Sequence, residues 1–164
     1  MSVFSDLDEQ LLRLARTRGH SAFAERAVAR FSLLGEHAGV WLAIGVAGQV
    51  LDGSKRDRWR RATGTVAGVY ALNTALKPIV RRRRPRLAGL PPLIDTPTDL
   101  SFPSAHASTA FAGALAYSRL GVPAFPLYEL ATCLALSRLY LGVHYPSDVL
   151  AGAVLGTVAA EMTR

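Results

Sequence analysis

The hydrophobic positions of this chain fall into five long runs, at about 33–51, 62–80, 105–121, 122–141 and 147–162, parted by short polar stretches. Each approaches the ~20 residues of a helix that crosses a bilayer core. Polar interruptions are few (Glu36, His37, Gln49, Asn73, Glu129), and runs such as AGVWLAIGVAGQVL and VLAGAVLGTVAA lack the charged face that a helix of a soluble bundle turns to water. The pattern predicts an all-α fold, a multi-span transmembrane helical bundle of about five spans forming one domain over 1–164, multi-pass in the cell membrane. Glycines four apart, Gly64 with Gly68 and Gly152 with Gly156, predict close helix contacts.

Residues 1–32 carry a different pattern. Phe4, Leu7, Leu11 and Leu14 fall on one helical stripe, with Asp8, Glu9, Arg13 and Arg16 elsewhere. This predicts an amphipathic helix lying in the membrane interface, ahead of a transmembrane core over 33–162. Its acids and the absence of a cleavable apolar core speak against a secretory signal peptide.

Composition adds a basic excess of +7 to a chain that is half hydrophobic. The single cysteine, Cys133, permits neither a disulfide nor a cysteine-based metal site, and its apolar surroundings predict a small buried side chain. His20 and His37 have no sequence partners and are expected to be structural. Trp41, Tyr70, Tyr117 and Tyr128 are expected to be packing or interfacial aromatics, and Glu129 to lie near the interface opposite the polar groups described next.

The basic excess is concentrated in LKPIVRRRRPRL, at the end of the second apolar run, where a Pro- and Arg-rich connection over 81–104 begins. Threading the chain through five spans brings three polar groups to one membrane surface: Lys77 with Arg84 and Pro85; FPSAHAS with Ser104 and His106; and SRLYLGVHYPSD with Ser137, Arg138, His144 and Asp148. These residue types suit a phosphate ester. Ser104 is a good N-cap, and the helix start it promotes offers free N–H groups to an anion. Arg84 and Arg138 supply planar forks and Lys77 a point charge. Of two histidines, one can attack phosphorus and the other protonate the departing oxygen. Asp148, four residues beyond His144, can fix that imidazole's tautomer.

Together the three groups resemble the three-part signature of the type 2 phosphatidic acid phosphatase superfamily, across roughly residues 62–160. One departure is Ala105, where the family pattern has glycine. The resemblance implies a metal-independent phosphatase without cofactors. In it His144 is the nucleophile that forms a phosphohistidine, Asp148 orients it, His106 is the general acid, and Lys77, Arg84, Ser104 and Arg138 bind the phosphate. Arg81, Arg82, Arg83 and Arg86 are left to lipid or substrate headgroups.

The partners implied are membrane lipids and a phosphorylated lipid substrate. A polyprenyl-linked substrate, decaprenylphosphoryl-5-phosphoribose, is the specific expectation; phosphatidic acid, phosphatidylglycerophosphate and undecaprenyl pyrophosphate are the alternatives. A lipid transporter or scaffold without catalysis needs no paired histidines. A nucleic-acid binder would explain the arginines but none of the spans, so no nucleic-acid partner is expected. The resemblance implies an active face on the extracytoplasmic side, whereas the basic residues favour the end that carries the signature by a narrow ten against seven, which under the positive-inside rule predicts a cytoplasmic active face.

Overall fold

The computed structural model describes residues 3–163, with side chains from Asp6 onward. The described residues form seven α-helices: α1 (Val3–Thr17), α2 (Ala22–Ser32), α3 (Gly39–Leu51), α4 (Arg56–Val80), α5 (Ala105–Ser118), α6 (Ala124–Tyr140) and α7 (Pro146–Met162). Met1, Ser2 and Arg164 lie outside the described residues, as do the side chains of Val3, Phe4 and Ser5.

α5 is the central element, packed against α4, α6 and α7. Its composition allows this. Ala107, Ala110, Ala112, Gly113 and Ala114 are buried small residues, so neighbouring backbones come close. Gly152 and Gly156 of α7 meet it directly: a Cβ on Gly156 would stand 2.0 Å from the Ser108 carbonyl oxygen, and one on Gly152 2.6 Å from that of Ser104. Gly64 and Gly68 depart from the same expectation, since a Cβ on either meets nothing within 4 Å. They face an open groove between α4 and α7. On the other side of α5, Trp41, Trp59, Val66, Tyr117 and Leu134 build the largest apolar cluster.

The first apolar run is not one helix. A single turn of 3-10 helix follows Ser32, then Glu36 is extended (ψ 132) and His37 and Ala38 take positive φ, 49° and 60°. The kink separates α2 from α3. Among the described residues, the kinked run Ala22–Leu51 is the one long and apolar enough to cross a membrane by length and composition. The other apolar helices, α5, α6 and α7, have 14, 17 and 17 residues.

The helices place two sets of loops at opposite ends. At one end the turn after α3 meets the turn after α5, where Lys55 Nζ donates to the Leu120 carbonyl at 3.0 Å. At the other, the long loop 81–104 folds into two limbs tied by Arg84 N to Asp99 O (2.9 Å) and Ser101 N to Arg82 O (2.8 Å). α1 packs there against α6 and α7. Its inward face is partly polar: Asp8, Leu12 and Arg16 are buried, whereas Leu7, Leu11 and Leu14 are half-exposed. Arg16 donates to the carbonyls of Tyr140 and Pro91, at 3.0 and 2.7 Å.

Cys133 departs from its expectation: it is exposed on the outer face of α6. The i, i+3 and i, i+4 spacing of an α-helix brings Cys133, Leu136 and Glu129 to one side of α6, away from buried Ala131, Leu134 and Ala135. His20 does have partners, bonding Glu25 and the Ala15 carbonyl and stacking on Tyr140 at 4.0 Å.

Candidate active site

Five of the seven sequence-predicted site residues line one pocket: Lys77, Arg84, His106, Arg138 and His144. Gly35, Glu36, His37, Tyr70 and Ala105 share its wall, and its volume is about 140 Å³. Lys77 comes from the last turn of α4, His106 from the first turn of α5 and Arg138 from the last turn of α6. Arg84 comes from the long loop, and His144 from the short turn before α7.

Ser104 and Asp148 stand behind this wall. Both are fully buried. Ser104 caps α5 by accepting from Ala107 N at 3.5 Å, and its own N–H donates to the Asp148 carbonyl at 3.0 Å. Asp148 Oδ2 accepts from Tyr145 N at 2.9 Å, closing the first turn of α7, where Pro146 needs no partner for its missing N–H.

Pairings at His144 set its chemistry. Arg84 Nη1 lies 3.2 Å from His144 Nε2. A guanidinium can only donate, so Nε2 is the bare nitrogen and Nδ1 carries the hydrogen. That Nδ1 is buried without a hydrogen bond; the Asp148 carboxylate stands 3.5 Å away, at ion-pair range. Burial, then the charges of Arg84 and Arg138, push the His144 imidazolium down to about 3 against the opposing pull of Asp148. Arg84 is held by donating from Nε to the Thr98 carbonyl and from Nη1 to that of Val143, both at 2.8 Å.

At His106, Nε2 bonds the Ser32 carbonyl at 3.0 Å. The turn that supplies this oxygen fits because residue 35 is glycine: a Cβ there would stand 2.5 Å from the His106 ring. Arg138 Nη1 donates to Ser32 Oγ at 2.5 Å, while its buried Nε has no partner. Lys77 Nζ donates to the carbonyls of Leu100 and Pro103, both at 3.3 Å. Three cations against one carboxylate, Glu36, make the pocket an anion site.

Arg82 differs from the sequence reading that grouped it with Arg81, Arg83 and Arg86. Those three are exposed, but Arg82 Nη1 donates to Asp148 Oδ1 (2.7 Å) and Ser147 Oγ (2.6 Å), and Nη2 to Asp8 Oδ2 (2.6 Å). Its guanidinium also covers the Tyr145 ring at 4.2 Å. Asp8 bonds Ser147 through both the backbone N–H and the hydroxyl. The signal was the two-residue period of extended chain, which sends Arg82 and Arg84 to one side and Arg81 and Arg83 to the other. Nothing in the sequence pointed to Asp8, Ser32 or Ser147. His37 and Tyr70, expected as structural or packing residues, pair with each other at 2.7 Å on the pocket wall.

This helical scaffold with its histidine, arginine and lysine pocket matches a known family, the PAP2 superfamily, over residues 59–163. The chain belongs to that superfamily. It is 39% identical over 162 residues to the decaprenylphosphoryl-5-phosphoribose phosphatase of Mycobacterium tuberculosis, covering 98% of this chain and 84% of that one. The protein of the same name from Mycolicibacterium smegmatis is 42% identical over 128 residues, 77% of this chain and 68% of the relative. In fold, the chain is similar to a transmembrane PAP2 type phosphatidylglycerolphosphate phosphatase from Bacillus subtilis, with a TM-score of 0.82 at 22% identity over 99% of this chain and 85% of that one.

Proposed function

We propose that this PAP2 phosphatase is an integral membrane enzyme of about five spans that removes the terminal phosphate of a polyprenyl-linked phosphosugar, decaprenylphosphoryl-5-phosphoribose. The observation that carries the reaction is the pair His144 and His106 in one pocket with Lys77, Arg84 and Arg138. The substrate rests on the likeness to the two mycobacterial phosphatases. Membrane insertion is supported by large apolar side chains exposed on the outer helices, among them Phe23, Val50, Ile79, Leu136 and Leu150.

In this reading the three cations hold the phosphoryl oxygens and stabilise their charge in the transition state. His144 Nε2 attacks phosphorus while the bond to the sugar oxygen breaks, and Asp148 faces the Nδ1–H that becomes part of an imidazolium. His106 protonates the departing oxygen; with Nε2–H held by Ser32, the transferable proton sits on Nδ1. Water then attacks the phosphohistidine, giving its proton to His106 and releasing phosphate and free His144. Fixed cations take the place of a metal in this scheme, so full activity is expected in EDTA, with inhibition by vanadate. Phosphate release by purified protein across decaprenylphosphoryl-5-phosphoribose, phosphatidic acid, phosphatidylglycerophosphate and undecaprenyl pyrophosphate tests it. Preference for one of the last three would sink the substrate assignment, and a need for Mg²⁺ the mechanism.

A further inference from the structure

We propose that Glu36, with the His37–Tyr70 pair beside it, forms a hydroxyl-reading subsite that selects a sugar joined to the scissile phosphate. This rests on the phosphatase reading of the pocket. Glu36 lies on the same wall as the phosphate-binding cations. It is half-buried, and its carboxylate makes no hydrogen bond or ion pair among the described residues, although the charges of Arg84 and Arg138 act on it. A carboxylate here repels the phosphate that the cations attract, so it does not serve the reacting group. As an acceptor whose lone pairs carry no hydrogen bond, it suits a donor on the rest of the substrate.

The backbone at this point is also costly. Two consecutive non-glycine residues, His37 and Ala38, hold positive φ, a conformation that persists only where the surroundings impose it and that clusters at ligand sites. The bond from His37 Nδ1 to the Tyr70 hydroxyl ties the kink to α4. It leaves His37 Nε2 and the remaining capacity of the tyrosine oxygen to meet further hydroxyls at the rim. The chemistry then discriminates. Ester groups of a glycerolipid phosphate only accept hydrogen bonds and would meet Glu36 acceptor to acceptor, whereas the hydroxyls of a phosphosugar donate.

The test compares two soluble phosphomonoesters, ribose 5-phosphate and a short-chain phosphatidic acid, on the full-length protein in detergent. Glu36→Ala is expected to lower the ratio of their kcat/KM values, sugar over glycerolipid, by about tenfold to a hundredfold, and Tyr70→Phe by less in the same direction. An unchanged ratio in Glu36→Ala overturns the subsite. Should the unaltered protein hydrolyse neither soluble ester, phosphate release from the decaprenyl lipid decides the phosphatase reading separately, and the subsite is judged by binding. Ribose 5-phosphate must then bind more tightly than ethyl phosphate and lose that advantage in Glu36→Ala; equal binding overturns it.

Discussion

Arg82 Nη1 lies 2.7 Å from Asp148 Oδ1, on the carboxylate whose other oxygen faces His144 Nδ1. Arg82 thus stands between α1, through Asp8, and the turn that presents His144. With Asp148 fully buried, removal of the guanidinium leaves an uncompensated charge behind the histidine. Arg82→Ala is expected to lower kcat about a hundredfold with little change in KM, since misplacement of a reacting group costs rate rather than affinity. Arg82→Lys recovers part of the loss. Steady-state kinetics of both variants check this; a change confined to KM would place Arg82 with the substrate instead.

His144→Ala and His106→Ala are each expected to abolish release from the lipid substrate, by a factor of at least about a hundred. Their separate roles predict a difference. With p-nitrophenyl phosphate, whose leaving group needs no proton, His106→Ala regains the first step, seen as a burst of p-nitrophenol, and His144→Ala does not. Acid-labile phosphate trapped on the protein should vanish in His144→Ala alone. Near-normal turnover by that variant would exclude the covalent route.

The position of the His144 titration gives a pH expectation. Its folded value, about 3, lies below the ordinary 6.5, so the ring of the free enzyme stays neutral at pH 5, and the Nε2 proposed to attack phosphorus stays bare. The sign for stability follows: the unfolded chain takes up this proton first, so stability from this group is lost as pH falls from about 6.5 toward 3. Nitrogen NMR of labelled histidine in detergent reads the ring directly. Arg84→Gln removes one of the two opposing cations and should move the titration upward; a ring that protonates near 6.5 in the unaltered protein would contradict the expectation.

Four of the five helical stretches were legible, in α4 to α7, because hydrophobic runs and glycine, proline and serine boundaries are local signals. The three polar groups were legible because each lies at helix ends on one face. Contacts between distant segments were not. Asp8 and Arg82 meet across 74 positions of sequence, and Ser32 reaches His106 across the same separation, so no spacing rule joins them. The kink at Glu36 was hidden because His37 and Ala38 are not residues that signal positive φ.

Two glycine pairs of equal spacing illustrate the same limit and can be tested together. Gly156→Ala drives a Cβ into the Ser108 carbonyl, and overpacking of this kind costs about 1–3 kcal/mol. Gly64→Ala meets nothing and removes a flexible residue from inside α4, which favours the helix by up to about 1 kcal/mol. Thermal unfolding in detergent should separate the two, with the midpoint lower for the first and equal or higher for the second. The reverse order would mean that the groove beside Gly64 is filled by another helix in the membrane.

Sidedness is the last expectation. α1 and the loop 81–104 share the end that carries the pocket, and the turns after α3 and α5 share the other. Several basic residues are tied within the protein: Arg16, Arg82 and Arg84 at the pocket end, Lys55 and Arg119 at the far end. Setting these aside leaves the basic excess at the pocket end, so the positive-inside rule still places the pocket on the cytoplasmic face. Single cysteines test this in intact cells once exposed Cys133 is replaced. Gly53 is a suitable far-end site, because a side chain there meets nothing. At the pocket end, exposed Ala88 is preferable to Gly89, whose φ of 75° strains any other residue. An impermeant thiol reagent is expected to label position 53 and spare position 88 until the membrane is opened; labelling of 88 alone would put the phosphatase site on the outer face.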